Sequence, residues 1–337
     1  MKKAILVTGG AGYIGSHTAY ALAQNGYHPV IIDKLVYNQP VNLPWATFVK
    51  ADIGDKEALH KIFSSHKIEA VMHFAAHLDV GRSVREPAEF YHNNVVNTHT
   101  LLESMREHKV NKIIFSSSCT VYGIPEYLPL DEQHKKGPIS PYGHTKQIIE
   151  DMLEDYKVAY DLSYVSLRYF NAAGGLPEQG LGEFHDPEVH LIPLVIRALR
   201  NDLPFNIFGN DYATADGTCV RDYVHVMDLA QGHLLALKYL EAGRKSDAFN
   251  LGTGTGLSIQ QVISAAEKLI GKKLEINFKD RRPGDAARLV ANSAKARSVL
   301  RWKPHHSSIT EIIRNALDWE NIINPILEVP SENQTQM

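Results

Sequence analysis

Tyr142 and Lys146 stand four residues apart in "SPYGHTKQIIEDMLEDYKVAY". On a helix that spacing puts both side chains on one face. A phenol with an ordinary pKa near ~10 is a poor base at neutral pH. An ammonium beside it favours the phenolate and lowers that value. The pair is therefore a physically sensible base for drawing a proton from a hydroxyl while hydride leaves the same carbon. Upstream, the apolar stretch "KIIF" runs into Ser116, Ser117 and Ser118. Ser118 would share the substrate oxygen with Tyr142, whereas Ser116 could be only a strand-end hydrogen-bonding group.

Such chemistry needs a hydride acceptor, and the amino terminus offers a place for one. "TGGAGYIG" sets Gly9, Gly12 and Gly15 at G-x-x-G-x-x-G spacing, between the apolar run "KAILVT" and an amphipathic stretch. Glycines there allow a tight turn and a close approach of backbone N–H groups to a pyrophosphate at a helix N-terminus. Asp33 ends the next apolar run, 18 residues past Gly15. A carboxylate at that place accepts ribose hydroxyls and repels a 2′-phosphate, which favours NAD over NADP. Lys34 beside it could instead meet a phosphate. Asp52 ends a third run, where it could accept from an adenine amino group or cap the following helix. The small residues of "HFAA", through Phe74, Ala75 and Ala76, would let backbone lie flat against the cofactor. A bound nicotinamide cation would further favour the Tyr142 phenolate.

The elements that must position these groups alternate. Short buried-type strands ("KAILVT", "PVIIDK", "TFVKADI", "AVMHFAA", "NKIIFSSS", "LSYVSLRYF") are separated by helical stretches, with Pro141 in the first turn of the Tyr142 helix. That rhythm predicts an α/β fold, a doubly wound parallel sheet of Rossmann type. It breaks after Asn171, where "NAAGGLPEQGLGEFHDPEVH" reads as a long loop. We expect residues 1–172 to form the NAD-binding domain, its sheet completed by later segments near 220–252. Residues 173–325 would form a smaller mixed α/β substrate lobe, and 326–337 a polar tail.

The chain has 337 residues and a net charge of -3, with 44% hydrophobic and 22% charged residues. It carries no basic footprint for nucleic acid or an anionic membrane. Cys119 and Cys219 are expected as reduced thiols, and no metal is expected. The apolar run "AILV" is too short for a signal peptide and no run approaches a membrane span, so the cytoplasm is the expected location.

"TGGAGYIGSH", "SSSCTVYG", "SPYGHTK", "RYFNAAG", "RDYVHVMDLA" and "RRPGDAA", in this order, resemble the extended short-chain dehydrogenase/reductase superfamily. Within it they are most similar to the UDP-glucose 4-epimerase family, from about residue 3 to residue 320. The resemblance implies a tightly held NAD regenerated in each turnover, and interconversion of UDP-glucose and UDP-galactose through a transient 4-keto sugar. It implies cofactor contacts from Tyr13, Ile14, Asp33, Asp52, Ile53, Phe74, Ala75, Asn93 and Phe170. It implies UDP-sugar contacts from Asn171, His190, Leu191, Asn206, Phe208, Arg221, Arg282 and Asp285. Lys146 would hold the nicotinamide ribose. A homodimer through helices of the large domain is also implied, "AEFYHNNVVNTHTLLESM" and the Tyr142 helix being the candidates. Relatives that eliminate water or CO2 carry acids after the strand-five hydroxyl, where this chain has Cys119 and Thr120. Leu289 aligns with a position that gates an N-acetyl group, so N-acetylated UDP-sugars stay open as substrates, and because contacts to C6 are not legible in the sequence, so do a UDP-pentose and a UDP-uronic acid. Arg82 stands where the family shows an acid, and Leu78 where some members place a lysine.

Overall fold

A computed structural model describes residues 2–36, 43–282 and 285–325. The expected polar tail, 326–337, and part of the loop after Asp33 lie outside these residues. The first half of the chain runs β1 (Ala4–Thr8), α1 (Tyr13–Gln24), β2 (His28–Asp33), β3 (Thr47–Lys50), α2 (Lys56–Ser65) and β4 (Ile68–His73). Then come α3 (Val80–Arg85), α4 (Pro87–Phe90), a π-helical stretch (Tyr91–Val96), α5 (Asn97–Glu107), β5 (Lys112–Ser118), α6 (Pro141–Tyr160) and β6 (Ser163–Tyr169). The second half runs β7 (Asn171–Ala173), α7 (Leu191–Arg200), β8 (Phe205–Phe208), β9 (Val220–His225), α8 (Val226–Glu241), β10 (Asp247–Leu251) and β11 (Gly256–Ser258). It ends with α9 (Ile259–Ile270), β12 (Ile276–Lys279), β13 (Arg288–Leu289) and α10 (Ile309–Ile323).

Seven strands form one parallel sheet in the order β10-β6-β5-β4-β1-β2-β3. Strands such as "AILVT" are buried throughout because helices cover both faces. One face packs under α1 and α8 around Ile5, Leu22, Leu234 and Phe249; the other packs under α2, α5 and α6 around Leu6, Leu59, Leu101 and Ile149. The chain leaves β1 in one direction across the sheet and β4 in the other. The crevice at their carboxyl ends is thus the topological switch point where ligands bind in such sheets. Of the segments near 220–252 expected to complete this sheet, β10 does so as the edge strand beside β6. Val220–His225 instead joins a smaller sheet with β7, β11 and β13. A third apolar cluster, with Ile192, Ile196, Val262 and Ile312, binds α7, α9 and α10 together.

Local rules explain the elements that carry the site. α6 starts at Ser140, whose hydroxyl accepts from Gly143 N, with Pro141 next, and ends at Asp161 in the left-handed region. α2 is capped by Asp55, which accepts from the N–H groups of Glu57 and Ala58. Asp52 is therefore not its cap, and one of the two readings of that residue falls away. The π-helical turn Tyr91–Val96 leads directly into α5. The wider turn seats Asn94, which accepts from His77 N and donates to His77 O and Thr145 Oγ1.

Candidate active site

A cavity of about 310 Å³ opens at the carboxyl ends of β1, β2, β4, β5 and β6. Gly9, Gly12, Tyr13, Ile14 and Gly15 form one side of it. Gly9 takes φ +66°, and a Cβ on it would sit 2.6 Å from Ala75 N, so glycine is required where β1 turns past the end of β4. α1 begins at Gly12 with no side-chain cap and no acidic residue in its first turn. Its N-terminal end faces the cavity uncovered, as a pyrophosphate would need. Asp33 accepts from Ala11 N at 3.0 Å and Leu35 N at 2.8 Å. Burial raises its pKa, and these N–H groups with Gly12 oppose the rise. Lys34, the residue that could have met a phosphate, is engaged with Asp52 Oδ2 at 3.0 Å and Asn93 Oδ1 at 2.6 Å. Asp52, Ile53, Phe74, Ala75, Ala76 and Asn93 complete this half of the lining. These features fit a dinucleotide with an unphosphorylated ribose.

The other half holds the proton chemistry. Ser116, Ser118, Tyr142, Lys146, Phe170, Asn171 and His190 all line it. Ser118 Oγ accepts from Thr120 N at 3.2 Å and Thr120 Oγ1 at 3.0 Å. Its lone pairs are thereby occupied and its own O–H is left to donate. Burial pushes the Tyr142 phenol well above its ordinary value, and the Ser118 hydroxyl pulls against that rise. Lys146 is buried, lowered by desolvation to about 7, and partly restored by the Glu150 carboxylate. Its Nζ donates to Ser116 O at 2.8 Å and lies 5.7 Å from the centre of the Tyr142 ring. In the chain by itself burial raises the phenol, and the group that opposes the rise is Ser118. Cys119 is buried and its thiol is pushed up to about 12. The position after Ser118 therefore holds no acid.

Six expected sugar-nucleotide residues, Leu191, Asn206, Phe208, Arg221, Arg282 and Asp285, do not line this cavity. All six belong to the second half of the chain, and the three that lie on strands sit on β8 and β9. Arg221 donates to Val220 O and Ala286 O and pairs with Asp285 Oδ1 at 3.1 Å. The Arg282 guanidinium sits 4.2 Å over the Phe208 ring. The positive charge of Arg221 reaches Cys119, next to Ser118. Arg221 thus acts near the Ser118 end of the site without lining the cavity.

Sequence reasoning missed two groups. Glu150 lies on the catalytic helix itself, one turn past Lys146, and takes Arg168 at Nε (2.8 Å) and Nη2 (2.6 Å), Ser117 Oγ (2.6 Å) and Lys136 Nζ (2.9 Å). The spacing Tyr142, Lys146, Glu150, Leu153 on one face was the available signal. Glu183, Phe184 and His185 line the cavity beside His190, and the charge of Glu183 reaches Tyr13 of α1. Against the downward push of burial, Glu183 and Glu188 raise His190 to about 10.

The sheet order, the glycine turn and the tyrosine beside a strand-end serine define a dinucleotide-dependent α/β enzyme. The sequence profile of the NAD dependent epimerase/dehydratase family matches residues 5–252. The UDP-glucose 4-epimerase of Rhizobium meliloti (strain 1021) is 48% identical over 318 residues, covering 94% of this chain and 97% of that protein. The crystal structure of UDP-glucose 4-epimerase from Brucella ovis in complex with NAD superposes with a TM-score of 0.91 at 45% identity, covering 94% of this chain and 97% of that one. The enzyme from Bifidobacterium longum, solved with NAD+ and UDP, gives 0.87 at 37% identity over 96% and 99% of the two chains. The chain belongs to the NAD dependent epimerase/dehydratase family.

Proposed function

We propose that this chain interconverts UDP-glucose and UDP-galactose through a transient 4-keto sugar, with Tyr142 as the base. The observation that carries this reading is the trio of Ser118, Tyr142 and Lys146 on one wall, with no acid at Cys119 or Thr120. Ser118 donates to the sugar 4-oxygen, its lone pairs being held by Thr120. Tyr142 accepts the 4-hydroxyl proton as hydride leaves C4, and returns it when hydride comes back to the opposite face. Lys146, anchored on Ser116 O, would hold the nicotinamide ribose and supply positive charge behind the tyrosine. Bound NAD would take and return the hydride, and its ring cation would add the charge that favours phenolate. Without an acid to protonate a leaving group, the keto sugar is reduced again and not dehydrated.

Gly9, Gly12, Tyr13, Ile14, Gly15, Asp33, Asp52, Ile53, Phe74, Ala75, Ala76, Asn93 and Phe170 are assigned to the cofactor. Asn171, His190, Leu191, Asn206, Phe208, Arg221, Arg282 and Asp285 are assigned to the UDP-sugar. Guanidinium forks suit a diphosphate, and a firm hold there leaves the sugar free to turn over. The division into 1–172 and 173–325 follows the same assignment, with β10 and α8 lent back to the first unit. The reading also has the enzyme in the cytoplasm as a homodimer. Exposed Val84, Val96 and Val158 on helices of the large domain support the dimer, and among the described residues no helix is long and apolar enough to cross a membrane.

Incubation with UDP-galactose followed by analysis of the released sugars tests the reading. UDP-glucose is the expected product. Conversion of UDP-N-acetylgalactosamine with none of UDP-galactose would move the substrate, and accumulation of a 4-keto-6-deoxy sugar would make the enzyme a dehydratase.

A further inference from the structure

Four side chains of the loop between β7 and α7 converge on one point outside the tyrosine chemistry. Glu183, His185, Glu188 and His190 each offer one donor atom within 4.8 Å of the others. His190 Nδ1 lies 2.5 Å from Glu183 Oε1 and 3.4 Å from Glu188 Oε1. His185 Nδ1 lies 3.2 and 3.8 Å from the same two oxygens. Yet Glu183 Oε1, Glu188 Oε2 and His190 Nδ1 are sealed from water without an aligned hydrogen bond. A short but poorly aligned approach such as that of Glu183 Oε1 and His190 Nδ1 is what lone pairs aimed at a common centre produce. Glu188 Oε1 accepts from the N–H groups of Val189 and His190, which leaves Glu188 Oε2 as that residue's donor atom.

The separations suit a metal ion. Donors held tetrahedrally at ~2.0–2.1 Å stand about 3.3 Å apart, and the four measured distances fall on both sides of that. Two imidazoles and two carboxylates match zinc and similar first-row divalent ions. Magnesium and calcium, which take six or more oxygens, do not suit this set. Burying two carboxylates together is costly unless a cation sits between them. The pattern E-x-H-x-x-E-x-H compresses all four ligands into "EFHDPEVH". The loop is also fixed at both ends: Trp319 Nε1 of α10 donates to Glu183 O at 2.7 Å, and His190 starts α7.

We propose that Glu183, His185, Glu188 and His190 form a tetrahedral zinc-type site with a structural role. Four protein ligands leave no open position for substrate. The ion clips together the loop whose Glu183, His185 and His190 line the cavity. It takes no part in the proton transfer at Tyr142; His190 ligates through Nδ1, which leaves its Nε2 edge for the UDP-sugar assigned to it above.

The test uses the full chain without a histidine tag. After dialysis against zinc and desalting, elemental analysis should find about one zinc per chain. Cobalt in its place should show the intense visible bands of a tetrahedral ion. His185→Ala combined with Glu188→Gln should retain roughly ten-fold less metal or lower still, with circular dichroism reporting its folding. Zinc should raise the unfolding temperature of the native chain after EDTA treatment, since a ligand that binds only the folded state stabilises it. Less than roughly a tenth of a zinc per native chain, an octahedral cobalt spectrum, or a folded double variant that keeps its full metal content would each overturn the proposal. The native-chain measurements decide the matter if the variant fails to fold.

Discussion

Glu150→Gln tests how the catalytic helix is held in register. Glu150 and Arg168 have side chains only 4% and 6% exposed, and they meet through two short N–H···O bonds. The same carboxylate gathers Ser117 from the catalytic strand and Lys136 from the loop before α6. Glutamine keeps one acceptor oxygen but turns an NH2 group toward donors. Arg168 would be left as a buried cation with a hydrogen bond to the Tyr122 hydroxyl at 3.0 Å. Removing one partner of a buried pair costs about 3–5 kcal/mol. That corresponds to a fall of roughly 10²- to 4 × 10³-fold in the ratio of folded to unfolded chains. Urea unfolding of wild type and variant at pH 7 reads the difference. Glu154→Gln is the control: its partner Lys157 is 41% exposed, and such a pair is worth at most about 1 kcal/mol. Glu150→Leu with Arg168→Met removes both charges of the pair and should recover at least roughly half of the loss. The gap should also depend on pH. The neighbours hold Glu150 below its usual value of 4.5 despite burial. A group whose folded pKa is depressed stabilises fully above the unfolded value, so the gap holds down to about pH 5 and closes as pH falls below it. A single variant within about 1 kcal/mol of wild type, or a double variant less stable than the single, would refute this account.

Two further changes separate chemistry from cofactor. Tyr142→Phe should cut turnover by at least about 10²-fold, while denaturing the purified variant still releases NAD(H); near-normal turnover would remove Tyr142 as the base. Gly9→Ala places a methyl 2.6 Å from Ala75 N at φ +66°, which costs about 1–2 kcal/mol in backbone strain before any clash. It should yield a less heat-stable protein that loses bound NAD on gel filtration, and retention of stoichiometric NAD would contradict the close approach.

The sequence was most legible where a local rule has one outcome. Fully apolar runs such as "AILVT" could only be strands covered on both faces, and Gly9 could only mark a turn against another strand. Tyr142 and Lys146 were readable because a helix fixes which residues share a face. What stayed hidden depends on distant partners. Asp52 could cap a helix or face the cavity, and only the position of Asp55 decided between them. Lys34 looked available for a phosphate until Asp52 and Asn93 were found around it. The burial of Tyr142 stayed hidden because spacing reports a neighbour's charge but not desolvation. The short strands β11, β12 and β13 escaped because two to four residues among glycines and charges carry no period. Glu183, His185 and Glu188 lay within a stretch read only as a long loop.

The position of β10 has a consequence for how the protein is made. It caps the sheet next to β6, while α8 packs beside α1, so the catalytic strands acquire their last neighbour only after residue 247 is synthesised. Until then β6, carrying Arg168 and Tyr169, is an unpaired edge next to the future reaction centre, open to strand pairing with another nascent chain. A fragment ending at residue 172 would thus contain most of the proposed chemical groups and still lack a finished sheet. Splitting the gene at that apparent boundary should give two pieces that are soluble only when produced together.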